Sequence, residues 1–326
     1  MITAEDLIHL PYTPDLTSAG VLQARRSLAL GLVQADNLHI APLRRLVTAV
    51  AAELALRRHL TEAGMPFKTL QTTPFTQSDW GDVVLGGRRC HLVEILYSRR
   101  SILRHIKDQH SSILQTPACL PDVYLTSELL EHHDLLVFTI ILAKPQPSWH
   151  EIRRCPEKII PCHFAYILPK AWKNPAPGRV YGQIYLTNEG ESEFVIELGG
   201  RGVSGQYQSE ILCLPAHRSV KVAQNYTALA YLSTETIPAV QLSISRAEPD
   251  RTLRVPAHRW VNLWLNGVVI ILAGYMTVGD FHSKARRLSP TDRTWNDLPV
   301  QTPAKFLHIS ELHSLPQFFA WINSNA

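Results

Sequence analysis

The chain has no apolar run long enough to cross a membrane. Its longest apolar runs, Leu135–Ala143 and Val268–Ala273, reach at most about half of the ~20 residues that a membrane-spanning helix requires. The amino terminus lacks the basic start and apolar stretch of a secretory signal. We therefore expect a cytoplasmic protein that has no membrane partner.

Cysteine is scarce, with five residues in a chain of 326. Their odd number and wide spacing exclude a disulfide framework and favour reduced thiols. Cys155 and Cys162 are too far apart for a zinc-binding pair, and no second pair follows, so we expect no zinc. The glycine-rich segment 199–205 has no following Lys-Ser/Thr, so it is not a P-loop and no nucleotide cofactor is predicted.

Lysine is also scarce, since the chain has 9 Lys and 23 Arg. The formal net charge is +4, but segment 44–107 alone has 11 basic and 5 acidic side chains. A local excess of planar, bidentate Arg donors suits phosphate groups. The alternative interpretation is an Arg-rich surface that is simply solvated.

Residues 42–145 alternate between helical and strand-like patterns. Pro42 begins a helix whose apolar residues recur at steps of three and four, and Gly64 ends it. Gly86-Gly87 is typical of a hairpin turn. In order, we predict helix 42–64, strands 67–75, 82–85 and 90–97, helix 98–115, and strands 122–125 and 135–143. A helix that connects two strands favours parallel pairing, which indicates a mixed-sheet α/β domain.

The remaining segments differ in character. Residues 1–41 are interpreted as an N-terminal extension with a short helix at 18–33, and the proline-rich segment 146–178 as a linker. Residues 179–326 read mostly as short strands separated by turns, with a C-terminal helix from Ser310 to Asn323. The prediction is a mixed α/β domain followed by a mainly β domain, α+β overall.

Three acids occupy notable places in the first domain. Glu53 lies on the first helix, Asp82 opens the strand before the Gly86-Gly87 turn, and Glu94 lies on the following strand. This element order and these acids resemble the PD-(D/E)XK nuclease superfamily, which has a restriction-endonuclease-like fold. The resemblance covers about residues 42–143.

The resemblance implies a metal site. Asp82 and Glu94 would hold Mg²⁺ or Mn²⁺, and Glu53 would complete the site. Converging carboxylates suit a hard cation that polarises a phosphodiester and generates hydroxide. The resemblance also implies a setting in restriction, mobile-element or phage-defence systems.

The register of the hairpin decides whether two of these acids can meet. A two-residue turn would pair residue 82 with residue 91 and place Glu94 on the opposite face of the sheet. A three-residue loop, 86–88, would pair 82 with 92 and place Glu94 on the same face as Asp82. The metal hypothesis therefore requires the three-residue loop.

The sequence departs from the family at Leu96, which occupies the position of the family's catalytic lysine. Three interpretations follow. Lys107 on the next helix replaces that lysine, assisted by neighbouring arginines; or metal-bound water acts alone and slowly; or the fold is retained without catalysis, as a binding or assembly module.

Five arginines flank the acids, on the hairpin tip and the following helix: Arg88, Arg89, Arg99, Arg100 and Arg104. Phosphates that approach the acids would meet these guanidinium groups, so we expect a nucleic-acid partner, DNA rather than RNA. The predicted function is nucleic-acid binding with Mg²⁺-dependent endonuclease activity. The alternative is a non-catalytic scaffold whose β-rich half docks a protein partner.

Overall fold

The computed structural model describes residues 2–70, 83–126, 130–145, 162–173, 180–236, 238, 241–247, 251–289 and 303–325. Two of the residues discussed above, Asp82 and Cys155, lie outside this part of the chain. The chain divides into unit 1, formed by 1–16, 48–144 and 266–326, and unit 2, formed by 17–47 and 145–265. Both units are therefore discontinuous, unlike the consecutive domains 42–145 and 179–326 that the sequence suggests.

Unit 1 is built on a six-stranded sheet. Its strands, in spatial order, are β1 (Ile8–Leu10), β16 (Leu265–Thr277), β6 (Leu135–Pro145), β4 (Arg88–Tyr97), β3 (Val83–Leu85) and β2 (Phe67–Thr69). The pairing of β4 with β6 is parallel, whereas β1 with β16, β2 with β3, and β3 with β4 are antiparallel. The predicted mixed sheet is confirmed.

A smaller antiparallel sheet belongs to the same unit, with strands β17 (Arg286–Leu288), β18 (Ala304–His308) and β5 (Pro117–Pro121) in this order. The helices that lie wholly in unit 1 are α3 (Arg100–Asp108), α4 (Asp122–Leu125), α6 (Val278–Lys284) and α7 (Leu315–Asn325). The predicted strand 122–125 is wrong, because the strand is 117–121 and α4 follows it. Short 3₁₀ turns occupy Ala4–Asp6, His110–Gln115 and Ile309–Glu311.

Unit 2 contains two antiparallel sheets. The five-stranded sheet has the order β10 (Tyr207–Leu214), β9 (Phe194–Gly202), β12 (Tyr226–Thr234), β7 (Phe164–Ile167) and β15 (Val261–Asn262). The four-stranded sheet has the order β11 (Ser219–Lys221), β8 (Ile184–Asn188), β13 (Leu242–Arg246) and β14 (Arg251–Val255). One apolar core takes side chains from both sheets, such as Ile196 and Ile244, so the sheets pack face to face.

The segment predicted as a linker contributes to this core. Strand β7 lies between β12 and β15, and the short helix α5 (Lys170–Lys173) buries Trp172. A 3₁₀ turn at Ala257–Arg259 precedes β15. The mainly β character of this unit and the α+β class of the whole chain agree with the prediction.

Two longer helices connect the units along the chain. Helix α1 (Pro14–Leu30) leads from unit 1 into unit 2, and α2 (Ala41–Glu62) leads back. The predicted end of α2 is confirmed, because Gly64 has a φ of +63° and Met65 donates its N–H to the carbonyl of Leu60 at 2.9 Å. None of the helices that the structure describes is both long and apolar enough to span a membrane.

The Gly86-Gly87 turn fixes the register of the β3–β4 hairpin. Both glycines have positive φ, +53° and +77°, which a two-residue hairpin turn of this kind requires. Val83 consequently pairs with Cys90, and Leu85 pairs with Arg88. This register determines which residues of β3 and β4 share a face of the sheet.

Strand β6 lies inside the six-stranded sheet, between β16 and β4. Its apolar run has both faces covered, as shown by the full burial of Leu135, Phe138 and Ile141. A continuous apolar run without alternation is typical of such an interior strand that pairs in parallel. The four described cysteines, Cys90, Cys119, Cys162 and Cys213, are free thiols.

Candidate nucleic-acid interface and acidic site

Glu94 lies in the middle of β4, on the face of the sheet that also carries Leu92 and Leu96, because side chains alternate along a strand. In the parallel pairing with β6, Glu94 is directly opposite Thr139. Burial raises the pKa of Glu94 to about 7, and the charge of Glu53 adds to this rise. Glu94 is therefore about half protonated at neutral pH.

Glu53 and Glu94, two of the acids that the sequence assigns to one site, interact through their charges. Glu53, on α2, is close enough to Glu94 to raise its pKa. Burial also raises the pKa of Glu53 itself, and the opposing charge of Arg57, its ion-pair partner one turn along α2, lessens that rise. The carboxyl groups of Glu53 and Glu94 and the guanidinium of Arg57 thus form one interacting group of charges.

A third oxygen lies at the same place. The hydroxyl of Thr139 is buried and has no hydrogen-bond partner among the described residues, and Thr139 shares the face of Glu94. Carboxylate and hydroxyl oxygens are the donor types that Mg²⁺ accepts. Within the described part of the chain, however, there is no group of three or more His, Cys, Asp or Glu residues arranged to hold a metal.

The hairpin does not have the register that the metal hypothesis requires. That hypothesis needs Asp82 opposite Leu92, whereas Val83 pairs with Cys90 and the turn contains two residues. Of the two possible turns, the hairpin has the two-residue one and not the three-residue loop that the metal hypothesis requires, because Gly86 and Gly87 both adopt the positive φ that closes a tight turn. Asp82 itself lies outside the described residues.

Lys107 is not brought to Glu94. Ile106 of α3 belongs to the apolar cluster that contains Tyr97, with Val93 and Ile95 of β4 packed against it. These three β4 residues lie on the face opposite Glu94, so α3 covers that opposite face. Lys107 is exposed there. The position of the family's lysine remains apolar, since Leu96 lies opposite the fully buried Ile141.

The five predicted arginines form two groups. Arg88 and Arg89 begin β4, whereas Arg99, Arg100 and Arg104 follow its other end. At about 3.3 Å per residue, the strand separates the two groups by roughly 30 Å. Arg100, Arg104 and Lys107 are exposed along one side of α3, at helical spacing. The arginines therefore do not form a single rim around Glu94.

An aromatic groove lies beside Arg88 at the hairpin end of unit 1. A cavity of about 380 Å³ is lined by Arg88, Tyr275, Leu312, His313, Ser314, Gln317, Phe318 and Trp321. The rings of Tyr275 and Phe318 are 4.7 Å apart, and those of Phe318 and Trp321 are 6.1 Å apart and nearly parallel. Trp321 is 55% exposed. We call this set the hairpin-end groove.

Helix α7 is held against the hairpin at this groove. A Cβ atom added to Gly86 would lie 3.3 Å from Cγ1 of Ile322 and 3.4 Å from Cζ3 of Trp321. The tight turn therefore fits against α7 and places Arg88 next to the exposed ring. Arg88 is exposed and forms no ion pair with a residue that the structure describes.

The sequence gives one signal for this groove. Phe318 and Trp321 are three residues apart on α7, a spacing that places two rings on one side of a helix. Tyr275 of β16 also lines the groove, whereas Trp260, Trp264 and Phe281 are buried.

A buried polar pair lies on the other face of β4. His91 Nε2 and Asp134 Oδ2 are 3.0 Å apart, and both side chains are nearly inaccessible. The same carboxylate oxygen accepts the N–H of Glu131 at 3.0 Å, and Nε of Arg89 lies 3.9 Å away. Local sequence patterns do not predict this contact, because 43 positions separate the histidine from the aspartate.

Unit 2 contains a second polar cluster, centred on Glu197. Its carboxylate accepts hydrogen bonds from Nη1 of Arg25 and, at 2.8 Å, from the hydroxyl of Tyr231. Tyr207 also donates to it at 3.2 Å, and Arg25 donates to Ser233 at 2.9 Å. The cluster ties α1 to the five-stranded sheet.

Comparison of the chain with protein-family models, with curated proteins and with solved structures gave no match. The resemblance to the PD-(D/E)XK superfamily therefore rests on element order and on the acids alone.

Proposed function

We propose that this protein binds nucleic acid through the hairpin-end groove. The observation that carries this proposal is the position of the exposed Arg88, which forms no ion pair with a described residue, beside the rings of Tyr275, Phe318 and Trp321. Single-stranded nucleic acids are commonly bound by aromatic side chains that stack on bases, together with arginines that contact phosphates. None of the described lining residues is acidic, and the nearby carboxylate of Asp6 accepts a hydrogen bond from Ser314 at 2.7 Å.

Binding to short single-stranded DNA and RNA, measured by fluorescence anisotropy, tests this proposal. Trp321→Ala removes the exposed ring and is expected to weaken binding about tenfold, because stacking contributes ~1–3 kcal/mol per base. Trp321→Phe retains a ring and is expected to keep most of the affinity. Equal affinity of the Ala variant and the parent protein would refute the groove as the binding site.

Arg88→Ala is the second variant. Loss of one phosphate contact is expected to weaken binding and to reduce the slope of log Kd against log salt by about one. Arg287, exposed on β17 of the same unit and outside the groove lining, supplies the matched control. Arg287→Ala has the same change of charge and is expected to leave the affinity unchanged.

A second candidate function is Mg²⁺-dependent phosphodiester cleavage. The observation that favours it is the approach of Glu53 to Glu94, next to the unpartnered hydroxyl of Thr139. Glu53 and Glu94 would hold the metal ion. The ion would act as a Lewis acid on the phosphate. Leu96 and the exposed Lys107 offer no proton-handling group beside Glu94.

Incubation with plasmid, single-stranded DNA and RNA in Mg²⁺ or Mn²⁺ tests this second function. Glu94→Gln is expected to abolish cleavage, whereas Trp321→Ala weakens it only through binding. Cleavage by all variants alike would point to a contaminant. If the parent protein binds nucleic acid without cleaving it, only the binding function is supported. If it neither binds nor cleaves nucleic acid, the non-catalytic scaffold is favoured.

A further inference from the structure

Unit 2 contains a cavity of about 590 Å³ that the proposed function does not use. The last turn of α1 and the loop that follows it form one wall, and β7, β12 and α5 form the others. Its lining residues are Leu28, Ala29, Gly31, Val33, Gln34, Ala35, Asp36, Asn37, Leu38, Ile167, Leu168, Pro169, Lys170, Lys173, Arg201, Ala228, Ala230 and Arg259.

The charged groups around the cavity are mainly cations. Lys170, Lys173, Arg201 and Arg259 line it, and Asp36 is the one acid among the lining residues that the structure describes. The carboxylate of Asp36 accepts the N–H groups of Leu38 and His39 at 2.7 and 2.8 Å, so part of its charge is directed to its own loop. The lining therefore has an excess of positive charge that attracts anions.

Three of the four cations have no ion-pair partner among the described residues. Lys173 donates to the carbonyl of Ala35 at 3.1 Å and so helps to hold the loop. Lys170, Arg201 and Arg259 form no ion pair with any residue in the described ranges. The Nε atom of Arg201 is buried and has no hydrogen-bond partner there. An unpaired buried donor of a charged group is costly, and an anion would satisfy it.

The cavity wall is fixed before any ligand binds. The side chain of Asn37 donates to the carbonyl of Ile167 at 3.0 Å and accepts the N–H of Ile167 at 2.7 Å. These two bonds attach the loop after α1 to the end of β7. Gly31, with a φ of +76°, ends α1, and a Cβ atom there would lie 3.5 Å from the Arg201 guanidinium. Such preorganisation lowers the entropy lost on binding.

Besides the charged residues and the amides of Gln34 and Asn37, the lining includes apolar residues such as Leu28, Val33, Leu168 and Ala230. Small-molecule sites typically occupy about 300–1,000 Å³ and combine apolar walls with a few placed polar groups. Two arginines and a lysine exceed what one carboxylate requires, whereas a phosphate monoester dianion carries two negative charges and has three terminal oxygens, one for each cation. The apolar walls suit an organic group attached to that phosphate.

We propose that this cavity binds the phosphate monoester of a small organic molecule. Arg201, Arg259 and Lys170 contact the phosphate, and the apolar wall contacts the organic group. This site lies wholly within unit 2 and is independent of the hairpin-end groove in unit 1.

Isothermal titration calorimetry of the full chain with ribose 5-phosphate, adenosine 5′-monophosphate, adenosine and inorganic phosphate tests the proposal. We expect the monophosphate esters to bind more tightly than inorganic phosphate, and adenosine not to bind. If no ester binds, if phosphate alone binds equally well, or if adenosine binds equally well, the proposal is overturned.

Variants locate the site. Arg259 is exposed, so Arg259→Gln is expected to fold normally and to weaken ester binding about tenfold. Arg201→Gln is expected to weaken it at least as much. Arg254→Gln changes an exposed arginine of β14 outside the cavity and is expected to have no effect. If Arg259→Gln, Arg254→Gln and the parent protein all bind the phosphate esters with equal affinity, the assignment is overturned.

The phosphate monoester has two sources, a free metabolite or the 5′ end of a nucleic acid. Competition between adenosine 5′-monophosphate and oligonucleotides with or without a 5′-phosphate distinguishes them. If only 5′-phosphorylated oligonucleotides bind, and the free esters do not, the small-molecule assignment is overturned. Trp321→Ala is expected to leave ester binding unchanged, so failure of one proposal does not affect the other.

Discussion

His91 Nε2 lies 3.0 Å from Oδ2 of Asp134, and the two side chains are only 3% and 5% exposed. Burial lowers the pKa of His91 more than the nearby carboxylate raises it, so the imidazole is neutral and its Nε2–H donates to Asp134. This pair connects β4 to the segment that leads into β6, on the face of the sheet opposite Glu94.

Asp134→Ala is expected to destabilise the protein by about 3 kcal/mol, because it leaves the Nε2–H of His91 and the N–H of Glu131 without an acceptor. Urea unfolding at pH 7.5 measures this loss. Asp108→Ala removes an exposed carboxylate at the end of α3 and is expected to change stability by less than about 0.5 kcal/mol. A loss below about 1 kcal/mol for Asp134→Ala would show that the pair is dispensable.

The pKa of Glu94 predicts a pH dependence. The folded chain holds this proton up to about pH 7, whereas the unfolded chain releases it near the ordinary value of 4.5. Its contribution to stability is therefore fully present below about pH 4.5 and is lost as the pH rises through 7. Glu94→Gln should be more stable than the parent by about 1–3 kcal/mol at pH 8 and by little at pH 5.

The control for this prediction is Glu62→Gln, which alters an exposed carboxylate on the same helix as Glu53. Its difference from the parent protein should be the same at both pH values. If the difference between Glu94→Gln and the parent does not change with pH, the carboxyl group is not buried as described. Stabilisation of the parent by Mn²⁺ at pH 8, absent in Glu94→Gln, would support the metal site.

Gly199 makes room for the ring that reaches Glu197. A Cβ atom at this position would lie 2.2 Å from Cζ of Tyr231, whose hydroxyl donates to the carboxylate at 2.8 Å. Gly199→Ala is therefore expected to displace Tyr231 and to cost about 3 kcal/mol of unfolding free energy.

Gly205→Ala supplies the comparison, since Gly205 has a φ of +84° and nothing within 4 Å of an added Cβ. It should cost only the backbone strain of about 1 kcal/mol. Equal losses for the two variants in urea unfolding would mean that Tyr231 adjusts without losing its hydrogen bond.

The separation of the two basic groups predicts which one binds a short oligonucleotide. Arg88→Ala should weaken the binding of a tetranucleotide, whereas Arg104→Ala should not, because roughly 30 Å of strand separates the groups. Longer single strands are expected to respond to both variants. Anisotropy titrations over a series of lengths measure this, and a tetranucleotide that responds to Arg104→Ala alone would move the binding site to α3.

Local sequence patterns determined several elements correctly. The apolar periodicity before Gly64 predicted α2, the Gly86-Gly87 pair predicted the hairpin, and the apolar run from Leu135 predicted β6. These signals are reliable because they depend on neighbours within a few residues: helical spacing, a turn that needs positive φ, and a strand covered on both faces.

Only the tertiary structure decided which residues meet. The sequence does not show that β16 returns to pair beside β6, so that residues 266–326 join the unit of the first strands. It predicted that Glu53 and Glu94 share a site, and the structure brings their charges together. The hairpin turn, however, has two residues instead of three, which excludes the register that the metal hypothesis requires. The length of β4 separates the five arginines into two groups. Contacts such as His91 with Asp134 depend on strand pairing across many positions, and local propensities do not encode that pairing.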